Sequence, residues 1–147
     1  MESLRPIKQG VGIIGKYYEN DLPVIVKFIN ELPDDFTRFK YPTLSIISWT
    51  YDGDKNNGML LSDINHKMID LENALESMMN SSKLYQHAYS RTGNNLKELV
   101  YYCTSKKDFM DLLNESLATH ERYPIEITFY EDAQWSELKK LIEDFAK

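Results

Sequence analysis

The sequence predicts an α+β domain built on an antiparallel sheet. From Leu44 onward, strand-length and helical stretches follow in the order strand, helix, strand, strand, helix, strand, helix. Two further strand-like runs precede that series, separated by the turn residues Glu19-Asn20-Asp21. The helical stretches each carry one apolar stripe, which must bury itself against a sheet. Together these features predict a ferredoxin-like split βαββαβ sheet with helices on one face, an N-terminal β-hairpin and a C-terminal helix. Such a fold hosts many activities, so function has to be argued from a site.

The elements follow in order. Residues 1–10 read as a loose arm, and 11–147 as one domain. Val11 to Tyr18 is a first strand, and the β-branched run Val24 to Ile29 a second. Leu32 to Pro42 holds two prolines and a pair of aspartates, and reads as loop. Leu44 to Tyr51 has apolar residues on both faces, as a central strand does. Asp52 to Gly58 is a turn-rich loop. Ile64, Met68, Leu71, Leu75 and Met78 then recur at helical spacing over Ser62 to Asn80, with Ser62 or Asp63 as the N-cap. Leu84 to Arg91 and Leu96 to Thr104 are strands joined by Thr92-Gly93-Asn94-Asn95, whose glycine and asparagines suit a hairpin turn. Ser105 caps a helix with Phe109, Leu112, Leu113 and Leu117 on its apolar face. Ile125 to Glu131 is the last strand. Asp132 caps a final helix striped by Trp135, Leu138, Ile142 and Phe145.

The chain is 42% hydrophobic, 27% charged and 12% aromatic, as in an ordinary globular protein. Its net charge of −6 disfavours nucleic acid and anionic membrane surfaces as partners. No apolar run approaches the roughly 20 residues of a membrane span. The N-terminus lacks a signal-peptide apolar region, so the expected location is the cytoplasm. The single cysteine, Cys103, excludes an internal disulfide and a cysteine-clustered zinc site.

Strand alternation predicts what each sheet face presents. Leu99, Tyr101, Ile125, Ile127, Phe129, Ile46 and Ala88 are expected beneath the helices. The other face would carry Trp49, Tyr51, Tyr85, His87, Tyr89, Arg91, Tyr102, Thr128 and Tyr130, a platform of rings with polar tips. Such a platform can stack on a ligand or bury a partner. Equally, it can be the surface on which the N-terminal hairpin packs.

The remaining chemistry is thin. His66 lies on the polar side of its helix, and His120 sits in a loop beside Glu121 and Arg122. His87, among tyrosines, is the best acid–base candidate, but no second ligand converges on it for a metal. Cys103 reads as a buried thiol rather than a nucleophile. Gly10, Gly12 and Gly15 space as G-x-G-x-x-G, without the strand-to-helix context of a dinucleotide site. Asp52, Asp54, Asn56 and Asn57 suggest a calcium loop, but Asp63 stands where a glutamate is needed. No cofactor is implied.

Several stretches together resemble a known family. The run SWTYDGDKNNGMLLSDINHKMIDLENAL is similar to the strand–loop–helix segment of the bacterial domain-of-unknown-function 695 family. YSRTGNNLKELVYYCTSKKDF resembles its hairpin, ENDLPVIVKFINELP its first strand, and YPIEITFYEDAQWSEL its close, with Asp132 and Trp135 as Asp-x-x-Trp. Met59-Leu60 departs from the proline more usual before the helix. The resemblance spans about 11–145 and implies a ferredoxin-like bacterial domain with no established activity, so no catalytic residue carries over. The architecture is also distantly similar to regulators of ribonuclease activity, and small acidic chains serve as toxin-immunity proteins.

The expected function is therefore a non-catalytic binding or regulatory domain, acting on a protein partner or on a second copy of itself through Trp49, Tyr51, Tyr85, His87, Tyr89 and Arg91. The alternatives are a small-molecule enzyme with a cleft near His87, a toxin-immunity protein, and a single-stranded nucleic-acid binder on the aromatic platform.

Overall fold

Asn20 and Asp21 adopt left-handed backbone, with φ of 51° and 64°. Two such residues make the turn whose twist matches a hairpin. They join β1 (Gly12–Glu19) to β2 (Leu22–Ile29) in antiparallel register. These strands open a computed structural model that describes residues 12–145. The arm expected over residues 1–10 lies outside the described residues.

Between Leu32 and Pro42 the chain is not all loop. Asp35–Lys40 forms a short helix, α1, because Asp34 accepts a hydrogen bond from the Thr37 amide at 2.9 Å. Both prolines flank this helix instead of interrupting it: Pro33 precedes the cap, and Pro42 follows the last turn. Then come β3 (Thr43–Thr50), a single 3₁₀ turn at Asp54–Asn56, and α2 (Ser62–Ser82). Ser62 belongs to the helix rather than capping it, and Asp63 sits in the first turn. β4 (Tyr85–Gly93) and β5 (Leu96–Cys103) turn through Asn94 and Asn95, at φ 51° and 67°. Ser105 caps α3 (Lys106–Ser116), accepting from the Asp108 amide at 3.1 Å. β6 (Ile125–Glu131) and α4 (Ser136–Phe145) complete the described chain. None of its helices is long and apolar enough to cross a membrane.

The six strands form one sheet in the order β1-β2-β4-β5-β3-β6, with every neighbouring pair antiparallel. The hairpin does not lie across the sheet. It widens the sheet, because β2 pairs with the edge of β4.

Two cores sit on opposite faces. On one, Met68, Leu71 and Leu75 of α2 and Phe109 and Leu113 of α3 pack on Ile47, Leu99, Tyr101 and Cys103. On the other, Trp135, Leu138 and Leu141 pack on Val24, Val26, Phe28, Leu44, Val100 and Tyr102. Register separates the faces: Ile47 pairs with Leu99 and Ile127, whereas the next rung joins Ile46 to Val100 and Thr128. Only α2 and α3 share a side. The closing helix α4 covers the other, so helices flank the sheet on both faces.

Within β1, Gly15 lies at a close approach, where a larger residue would have to push a ring aside. A Cβ there would collide with the Phe145 ring at the end of α4, which itself lies 5.3 Å from the Phe28 ring.

Candidate functional site

The six nominated residues do not form one open platform. Trp49, Tyr51 and Tyr85 lie under α2 and α3, only 3%, 6% and 1% exposed. Tyr89 lies in the α4-side core. Two causes separate them. β3 is apolar on both faces, so its pattern does not reveal which face meets the helices; register puts Ile47 and Trp49 there, and Leu44 and Ile46 opposite. In β4 a β-bulge falls between His87 and Tyr89. The extra residue, Ala88, breaks the two-residue alternation. Tyr85 and His87 therefore belong with Tyr101 and Cys103, while Ala88 and Tyr89 belong with Val100 in the other core. Tyr102 and Ile46 are likewise on the α4 side, and Tyr130 stays 55% exposed.

Their polar ends are mostly tied. The Tyr51 hydroxyl donates to the Gly58 carbonyl at 2.6 Å, and the Tyr85 hydroxyl to the Leu75 carbonyl at 2.6 Å. Burial raises both phenols above their ordinary pKa and pushes Tyr89 up to about 12. Arg91 meets Glu98 at 3.4 Å and lies over the Tyr17 ring, 6.0 Å from its centroid.

Arg91 Nε and His87 Nε2 are each buried without a hydrogen-bond partner, and the His87 ring packs on Tyr101 with centroids 5.1 Å apart. Burial, with help from the Lys97 charge, lowers the His87 pKa to about 4; a hydrogen bond at the Tyr89 backbone works the other way, and Lys27 adds to the lowering. The imidazole is therefore neutral at neutral pH. The β2–β4 ladder ends at Phe28 and Tyr89, just before the bulge. There a cleft of about 240 Å³ opens, lined by Ile13, Ile14, Lys27, Phe28, Ile29, His87 and Ala88.

The other candidates resolve into structure. Cys103 is fully buried, its thiol faces the Thr43 carbonyl at 3.4 Å, and burial pushes its pKa up to about 12. His66 is exposed, and His120 Nδ1 lies 2.8 Å from the Tyr123 hydroxyl. The Asp52 carboxylate accepts from the Asp54 amide at 3.1 Å, and the Asp54 carboxylate accepts from Asn95 of the β4–β5 turn at 3.1 Å, so both acids are engaged in hydrogen bonds within the protein. Gly12 and Gly15 lie within a strand, and Gly10 lies outside the described residues. Among the described residues no three His, Cys, Asp or Glu gather to hold a metal.

Asp132 and Trp135 form a closed unit. Asp132 accepts from the Ser136 and Glu137 amides at 2.8 and 3.1 Å, and from the Tyr102 hydroxyl at 2.7 Å. Trp135, fully buried at φ 56°, stacks on Tyr102 with centroids 4.0 Å apart and donates its Nε1–H to the Tyr41 carbonyl at 2.9 Å. The Asp-x-x-Trp signature thus docks α4 onto the sheet. A family model described as "Family of unknown function (DUF695)" matches residues 18–140, most of the chain.

The chain belongs to DUF695. No curated protein and no solved structure matches it. The DUF695 match begins at Tyr18, so Ile13 and Ile14, which line the cleft beside His87, lie outside the matched span.

One surface feature escaped the sequence reading. Phe36 and Phe39 on α1 are 79% and 82% exposed. Their three-residue spacing after Asp34, a good N-cap, was the available signal.

Proposed function

We propose that this DUF695 protein is a non-catalytic binding or regulatory domain that acts through protein–protein contact. Phe36 and Phe39 carry the reading. They lie three residues apart, hence on one side of α1, almost wholly in water. Leaving such a ring exposed forgoes on the order of 1.5–3 kcal/mol. A partner that covers both recovers that energy, and exposed apolar patches of this kind mark interaction sites. The Asp34 cap holds the helix that presents them. The net charge of −6 would steer a basic partner toward the protein.

The test is a photo-crosslinking residue at position 36, with sedimentation of the wild type and of a Phe36→Ser/Phe39→Ser variant. A discrete adduct, or self-association that the variant loses, supports the proposal. A monomer at all concentrations that crosslinks to nothing ends it.

β3 lying between β5 and β6, with antiparallel neighbours throughout, supports a ferredoxin-like split βαββαβ unit over Thr43 to Glu131. The family resemblance supports a bacterial setting, and the buried free thiol of Cys103 suits the cytoplasm. The likeness to ribonuclease regulators is an analogy of architecture, and that to immunity proteins an analogy of size and acidic composition.

A second reading, small-molecule chemistry beside His87, is favoured by the unpartnered Nε2 in its cleft. A pKa near 4 makes that imidazole a weak base at neutral pH, which suits holding a ligand better than moving its proton.

A further inference from the structure

We propose that the cleft at the β4 bulge binds a small aromatic hydroxy acid: an apolar ring with a hydroxyl at one end and a carboxylate at the other. The inference is independent of the Phe36–Phe39 surface. Four observations select this chemistry.

The walls are mostly apolar, dominated by Ile13, Ile14, Phe28 and Ile29, and favour an apolar body. The volume is about 240 Å³. An apolar cavity of roughly 150 Å³ is enough for benzene, so a ring with two substituents is the right scale.

His87 supplies the third observation. In a neutral imidazole one nitrogen carries the proton and the other a lone pair. Nε2 is buried with no hydrogen-bond partner in either role. A buried, unsatisfied polar atom beside a cleft calls for a partner, and a ligand hydroxyl, which both donates and accepts, is one.

Lys27 is the fourth. It lines the same cleft, is exposed, and makes no ion pair among the described residues. Its charge reaches His87, as does that of Lys97, which Glu72 pairs at 3.4 Å. Lys27 is thus an unpaired cation among the described residues at the cleft, and it asks for an anion at the cleft mouth.

The experiment titrates the full chain with 4-hydroxybenzoate, benzoate and phenol, using calorimetry together with ¹⁵N shifts of the His87 imidazole. 4-Hydroxybenzoate should bind about tenfold tighter than benzoate, the worth of one hydrogen bond to Nε2, and should move the Nε2 resonance. His87→Phe should erase that preference while benzoate still binds. Lys27→Gln, at an exposed position that folding tolerates, should weaken both acids severalfold and leave phenol unchanged. The proposal fails if none of the three binds at millimolar concentration, or if both variants keep the wild-type order of affinities.

Discussion

Protonating His87 should cost this protein stability, and the cost can be worked out. In the unfolded chain the imidazole titrates near 6.5; in the fold, burial holds it near 4. The unfolded state therefore binds more protons between those values, and stability falls as pH drops through that window. Between pH 7.5 and 4.5 the linkage integral for this one group is about 2.5 kcal/mol. Urea unfolding of the wild type at the two pH values gives the total loss, carboxylates included. The same pair of measurements on His87→Gln, which cannot titrate, gives the background. The wild type should lose about 2.5 kcal/mol more than the variant, with the difference still growing until the pH falls below about 4. Equal losses would show that His87 is solvated in the native state, and the reading of Nε2 as a buried atom in need of a partner would go with it.

Three further outcomes are expected. Gly15→Ala should destabilise by about 1–3 kcal/mol through overpacking against Phe145, and Phe145→Ala in the same chain should recover part of that loss in a double-mutant cycle by urea unfolding. Cys103, with its thiol pushed up to about 12, should resist iodoacetamide at pH 8 in the native state and react only on unfolding, as read by mass spectrometry. Asp132→Ala should cost about 1–3 kcal/mol, because it strands the buried Tyr102 hydroxyl and two α4 amides; hydrogen exchange should show α4 loosening before the sheet.

Element order was legible because each run declared its own period. Ile125 to Glu131 alternates cleanly, and the structure begins and ends β6 at those residues. Asn20-Asp21 and Asn94-Asn95 supplied the turn chemistry both hairpins need. The faces were less legible. Ala88 carries no mark of a bulge: it is neither glycine nor polar, and the alternation of Tyr85, His87, Tyr89 and Arg91 runs unbroken through it. Only pairing with β5 shows that the strand changes sides there. Trp49 and Tyr51 went to the wrong face because a strand buried on both sides has no polar face to orient it. α1 was hidden by two prolines that look like breakers until Asp34 is seen holding Thr37 between them. Of the candidate site, His87 was legible as a histidine among rings. Its cleft was not, since Ile13, Lys27 and Ile29 meet it only through strand pairing.

The placement of α4 also orders events in synthesis. The inner side of β2, with Val24, Val26 and Phe28, leaves the ribosome early, whereas its cover arrives with Trp135, Leu138 and Leu141 at the far end of the described chain. Until then a nascent hairpin carries a sticky, uncapped flank, and chaperones that grip exposed aliphatic segments have a natural point of attachment. A polypeptide cut shortly before Asp132 would have one side finished and the other bare, so the docking of α4 is the step that closes the second face.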